Sequence, residues 1–135
     1  MPLIIDSSAI IALALSDEDA TYAEAVLSAI ARDIAVAPML FWFEVRNVLV
    51  VNERRGRITT EQTDDFLREL VSLPISLDTA PHDSDVIGLA RTHRLSVYDA
   101  GYLELARRLD GQLATLDQKL RDAATTEGVT VFTNP

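Results

Sequence analysis

Leu3-Ile4-Ile5-Asp6-Ser7-Ser8-Ala9 sets three apolar residues ahead of an acid and two hydroxyls. The triplet, too short for a helix and largely β-branched, reads as a buried strand, and Ser7 to Leu15 reads as a helix. The same alternation continues along the chain. Ala20 to Arg32 puts Ala23, Val26, Leu27 and Ile30 on one helical face. Ile34 to Ala37 reads as a second strand, with Pro38 suited to a helix start and Leu40 to Glu53 a helix apolar nearly all round. Gly56 ends the Arg54-Arg55 segment. Thr59 and Gln62 form a capping box for a helix through Leu73 that turns Phe66, Leu67, Leu70 and Val71 inward.

Pro74 stops that helix, and Ile75-Ser76-Leu77 is a third strand. Asp83 is placed to cap a helix from Ser84 to His93, and Tyr98 to Leu109 is another. Asp110-Gly111 reads as a turn, Gln112 to Thr115 as a fourth strand, Asp117 to Glu127 as a helix and Thr130 to Phe132 as a fifth strand. Strands alternating with helices predict an α/β domain over residues 1–135, with a mostly parallel sheet of about five strands and helices on both faces. Functional sites in such sheets lie beyond the carboxyl ends of the strands. Asp6 follows the first strand directly, Asp117 follows the fourth by one residue, and Asp99 opens a helix leading into the fourth.

Composition narrows the chemistry. The 135 residues contain no cysteine, which removes disulfides, thiolate zinc sites and thiol nucleophiles. A hydrophobic share of 48% excludes a disordered chain. Mean hydropathy is +0.13. No apolar run approaches the ~18 residues that cross a membrane. The run Ala9–Leu15 has no preceding Lys or Arg and carries Asp6 where a signal peptide is positive, so a cytoplasmic location is expected. The formal net charge is −9, the wrong sign for phosphate binding unless part of the acidity belongs to a metal site. Of the 12 basic residues only Lys119 is lysine, and Arg54, Arg55 and Arg57 form the densest basic run. That run reads as a solvated helix end or an RNA or partner contact.

Asp6, Glu44, Asp99 and Asp117 stand out by position. Asp6, Asp99 and Asp117 each also suit an N-cap, worth ~1 kcal/mol. Glu44 does not. It lies among Leu40, Phe41, Trp42, Phe43, Val45, Val48 and Leu49, where a carboxylate is costly unless it is paired or bound to metal. Asn47, or an Arg from elsewhere, is the alternative partner. Carboxylates without His or Cys select a hard cation, Mg²⁺ or Mn²⁺, which can activate water and neutralise a phosphoryl oxygen. Neither G-x-G-x-x-G nor G-x-x-x-x-G-K occurs, nor does G-x-S-x-G. His82 and His93, at a loop and a helix end, read as solvated.

Taken together these segments resemble the PIN-domain nucleases, specifically the VapC-type toxins of toxin–antitoxin modules. The resemblance rests on Leu3–Ala9, on Pro38–Val48 around Phe43-Glu44-Val45, on Arg55–Ile58, on Leu95–Leu103 around Asp99, and on Leu113–Leu120 around Asp117. It implies a PIN-like three-layer fold, four acids converging at one end of the sheet, and Mg²⁺- or Mn²⁺-dependent hydrolysis of RNA leaving a 5′-phosphate and a 3′-hydroxyl. It further implies a homodimer and a cognate antitoxin that blocks the site. Ser8 and Thr115 match positions whose hydroxyls support the acids. Gly101 departs from the pattern, standing where a better helix former is usual. The competing functions are a phosphohydrolase, for which Asp6-Ser7-Ser8 lacks a D-x-D, a receiver-like module, for which Lys119 is the only available lysine, and a PIN-like fold that binds without catalysis.

Overall fold

The computed structural model describes residues 1–15 and 18–134. Five strands and six helices follow in chain order: β1 (Leu3–Ile5), α1 (Thr21–Ile30), β2 (Ala35–Pro38), α2 (Leu40–Arg54), α3 (Thr60–Ser72), β3 (Ile75–Asp78), α4 (Asp83–His93), α5 (Val97–Arg108), β4 (Gln112–Ala114), α6 (Gln118–Thr126) and β5 (Thr130–Val131). The strands form one sheet in the order β3-β2-β1-β4-β5, and every pairing is parallel. The expected mostly parallel sheet is therefore wholly parallel, flanked by helices.

The order has a direct consequence. From β1 the chain moves outward through β2 to β3, then crosses back to β4 on the other side of β1. The switch point of the topology lies between β1 and β4, where a crevice forms beyond the strand ends. Leu3, Ile4 and Ile5 are fully buried, as a central strand covered on both faces requires. Helix α5 packs across β1, β2 and β4, burying Ala100, Tyr102, Leu103, Leu105 and Ala106. The expected Asp110-Gly111 turn forms, with Asp110 at φ 51°. A Cβ on Gly111 would meet the Pro2 carbonyl oxygen at 2.7 Å. The glycine thus lets β4 start beside β1, where Gln112 donates its N–H to that same carbonyl at 2.9 Å.

Several local expectations change. Ser7–Leu15 is not an α-helix but two short 3₁₀ turns, Ser7–Ala9 and Ile11–Leu13, separated at Ile10 (φ −123°). Ser7 and Ser8 turn their hydroxyls back to the Asp6 carboxylate, and such local bonds compete with helix formation. Pro38 ends β2 opposite Asp78 instead of starting a helix. Ile34 precedes its strand and is 71% exposed. Asp83 is the first residue of α4 and His82 its cap position. The Thr59–Gln62 capping box forms as expected. Its helix, however, buries Phe66 and Leu70 and leaves Val71 exposed, because β3 is an edge strand and nothing covers that side. Helix α2 is less enclosed than its composition suggests, since Trp42, Phe43 and Val50 face outward. Of the acidic run Asp17-Glu18-Asp19, Asp17 lies outside the described residues. Glu18 pairs with Arg57 at 3.2 Å, and Asp19 accepts the Thr21 N–H and hydroxyl at the start of α1.

Candidate active site

Asp6 is the first residue beyond β1. The β1–β4 register pairs Ile5 with Ala114, so the next residues, Asp6 and Thr115, leave the sheet side by side. Thr115 donates its hydroxyl to Oδ2 of Asp6 at 2.7 Å, and Ser8 donates to the same oxygen at 2.6 Å. Both hydroxyls also accept. Thr115 Oγ1 takes the Asp117 N–H at 3.1 Å, and Ser8 Oγ takes the Leu116 N–H at 3.0 Å. With one proton each, both already given to Asp6, the two hydroxyls tie β1 to the segment after β4. Asp6 and Thr115 are buried.

Asp117 caps α6, its Oδ1 accepting the Leu120 N–H at 2.9 Å. Asp99 is not a cap. Ser96 caps α5 and accepts the Asp99 N–H at 3.0 Å, so the Asp99 carboxylate in the first turn is not consumed in starting the helix. Glu44, half-buried on the second turn of α2, takes neither Asn47 nor an arginine. Its Oε1 accepts the hydroxyl of Tyr102 at 2.5 Å. Sequence reasoning missed Tyr102, which sits one helical turn past Asp99 on the buried side of α5.

Asp6, Glu44 and Asp117 thus share a pattern. Each commits one oxygen to the scaffold, Oδ2, Oε1 and Oδ1 respectively, through hydrogen bonds of 2.5 to 2.9 Å. Among the described residues, the second oxygen of Glu44 and of Asp117 has no hydrogen bond, and that of Asp6 has only a 3.5 Å approach from Ser7.

The acids feel one another. Burial pushes the Glu44 carboxyl up, and the charges of Asp6 and Asp99 add to the rise against the opposing Tyr102 bond. Burial also raises Asp99, reinforced by Asp117 and Asp6 and opposed by Ser96 and Lys119. The four expected site residues therefore occupy one electrostatic neighbourhood at the switch point. Among the described residues, however, no three His, Cys, Asp or Glu side chains already enclose a common point as a metal cage would. The donor set fits a hard divalent ion: all oxygen, anionic, with no imidazole or thiolate.

Other polar residues have partners of their own. Lys119 donates its Nζ to the Arg94 carbonyl at 2.5 Å. Arg57 donates to Asn52 Oδ1 at 2.8 Å, so one member of the basic run is structural. Arg46 stacks over Trp42, 3.8 Å from the ring centre. His93, expected to be solvated, is packed between helices with Nε2 2.7 Å from Glu127. A part-buried ion network, Glu104–Arg108–Asp78, was not anticipated. Arg108 grips Asp78 through both terminal nitrogens (3.1 and 2.7 Å) and Glu104 through Nε. It anchors α5 to the end of β3. A groove of about 420 Å³ beside it is lined by Met39, Leu40, Val97 and Tyr98.

The fold is that of a PIN domain, whose family model matches residues 3–125, and the chain belongs to that family. It is 33% identical over 125 residues to the protein named Ribonuclease VapC3 of Pyrobaculum aerophilum, a match spanning 90% of this chain and 94% of that one. The fold is also similar to the crystal structure of PAE2754 from Pyrobaculum aerophilum, with a TM-score of 0.72 at 24% identity over 91% of this chain and 84% of that chain.

Proposed function

We propose that the protein is a VapC-type endoribonuclease toxin that hydrolyses RNA phosphodiester bonds with Mg²⁺ or Mn²⁺ held by Asp6, Glu44, Asp99 and Asp117. The observation that carries this reading is the one-oxygen anchoring of three of these acids at the β1–β4 switch point. Anchored carboxylates with a free oxygen are what a small octahedral cation, retaining several waters, takes from a protein. The bound ion would supply Lewis acidity toward water and the phosphate.

The protein's own residues supply position. Ser8 and Thr115 orient Asp6, the start of α6 orients Asp117, and Tyr102 orients Glu44. In the net reaction water adds to phosphorus, the P–O3′ bond breaks, and the leaving 3′ oxygen gains a proton. Similarity to a protein named a ribonuclease supports RNA as substrate. The family also supports a cognate antitoxin, and an Arg from its tail among the acids would form charge-assisted bonds in place of the ion. The exposed Trp42, Phe43 and Val50 of α2 supply apolar surface for a homodimer. No described helix is long and apolar enough to cross a membrane.

The test is to sequence RNA ends after controlled expression of wild type and Glu44→Gln. The reading expects discrete new 5′-phosphate ends in wild type and none in the variant. Equal cleavage by both would refute it.

A further inference from the structure

Tyr102 is fully buried, yet it is a tyrosine where phenylalanine would fill nearly the same volume. Its hydroxyl extends from α5 to α2, 58 residues away in sequence, and gives its proton to Oε1 of Glu44. Asp6 is anchored by Ser8 beside it and by Thr115 across the β1–β4 pairing, and Asp117 by the start of its own helix. Glu44 alone among these three is held by a side chain from a distant helix.

We propose that Tyr102 is a positioning residue that restricts Glu44 to single-oxygen coordination and thereby biases the acidic centre toward Mg²⁺ or Mn²⁺ and against Ca²⁺. The inference rests on Glu44 being a metal ligand, as read above. Mg²⁺ requires near-ideal octahedral geometry and takes few protein oxygens, whereas Ca²⁺ takes six to eight ligands and accepts bidentate carboxylates. The phenol occupies one lone pair of Oε1 and fixes the orientation of the carboxylate, so turning both oxygens toward an ion strains that bond or breaks it, and breaking it costs the buried hydroxyl its acceptor. The phenol thus penalises the coordination that suits the larger ion.

The experiment measures Mg²⁺ and Ca²⁺ affinities by titration calorimetry for wild type, Tyr102→Phe, Glu44→Gln and the double variant. Melting curves without metal show that each is folded. Tyr102→Phe is expected to lower the Mg²⁺-to-Ca²⁺ affinity ratio by about tenfold, the scale on which partners of ligating groups act. In the Glu44→Gln background the same substitution should leave the ratio unchanged. Should Tyr102→Phe fail to fold, Glu44→Asp withdraws the carboxylate from the hydroxyl by one methylene and should move the ratio the same way. A uniform loss of both affinities, or an equal change of ratio in the Glu44→Gln background, overturns the proposal. Wild type that binds neither ion would instead overturn the metal reading itself.

Discussion

Thr115 and Asp6 face each other across the β1–β4 pairing, and the threonine hydroxyl spends its proton on Asp6 Oδ2 at 2.7 Å while receiving the Asp117 N–H at 3.1 Å. One side chain therefore fixes two of the four acids. Thr115→Val keeps the shape but leaves Asp6 Oδ2 with Ser8 alone and takes the acceptor from the Asp117 N–H, a cost of about 1–3 kcal/mol. Urea denaturation should show this loss for Thr115→Val and little of it for Thr115→Ser. RNA cleavage should follow the same order, with the serine variant retaining most activity.

The Asp78–Arg108 pair predicts a pH effect remote from the acids. The Arg108 guanidinium holds the Asp78 carboxyl below the ordinary aspartate range, burial opposing it only in part. A lowered folded-state value means the carboxylate form favours the fold. Its stabilisation is complete above the unfolded value of about 3.9 and disappears as pH falls through the lower folded value. The stability difference between wild type and Asp78→Asn should therefore stay constant from neutral pH to about 5, then shrink as pH falls below the unfolded value. Denaturation midpoints across that range check it. A difference that grows on acidification would reverse the assigned sign.

Gly101 lies inside α5, where most other residues favour the helix more strongly. A Cβ there would lie 3.4 Å from Leu40 Cδ2, the end of a flexible side chain, and meets nothing closer. No backbone constraint requires glycine in α5, since the positive-φ glycines are Gly56 and Gly128. Gly101→Ala should raise stability by up to about 1 kcal/mol through helix propensity. Thermal melting measures this, and cleavage should be unaffected.

Much of this was legible in the sequence because it is carried by local pattern. Buried runs such as Leu3-Ile4-Ile5 mark central strands, turn chemistry marks Asp110-Gly111, and Thr59 with Gln62 marks a helix start. The acids were legible because three of them follow strands or open helices, and the fourth, Glu44, has no local reason to exist. What the sequence hid depends on tertiary register. Tyr102 meets Glu44, and Arg108 meets Asp78, only after α5 has packed across the sheet. Ser7–Leu15 misled because its apolar periodicity suits a helix, while the pull of Asp6 on Ser7 and Ser8 is invisible to periodicity. Val71 was read as buried because the pattern of a helix does not tell which side of the sheet's edge remains uncovered.

Asp6, Glu44, Asp99 and Asp117 are proposed to form one cation site. Burial and the charges of Asp117 and Asp6 raise the Asp99 carboxyl, so protonation of this group favours the fold. Its stabilisation is present below the unfolded value and lost as pH rises through the folded value, which leaves a penalty at neutral pH. Asp99→Asn should remove that penalty and raise the melting temperature without metal. A cation that binds only the folded state raises the wild-type melting temperature by mass action. The decisive measurement is melting at neutral pH with and without Mn²⁺ for wild type and Asp99→Asn. A clear metal-induced rise is expected in wild type, with most of that rise lost in the variant. Equal shifts in both proteins would contradict it, because the acids would then not act as one site.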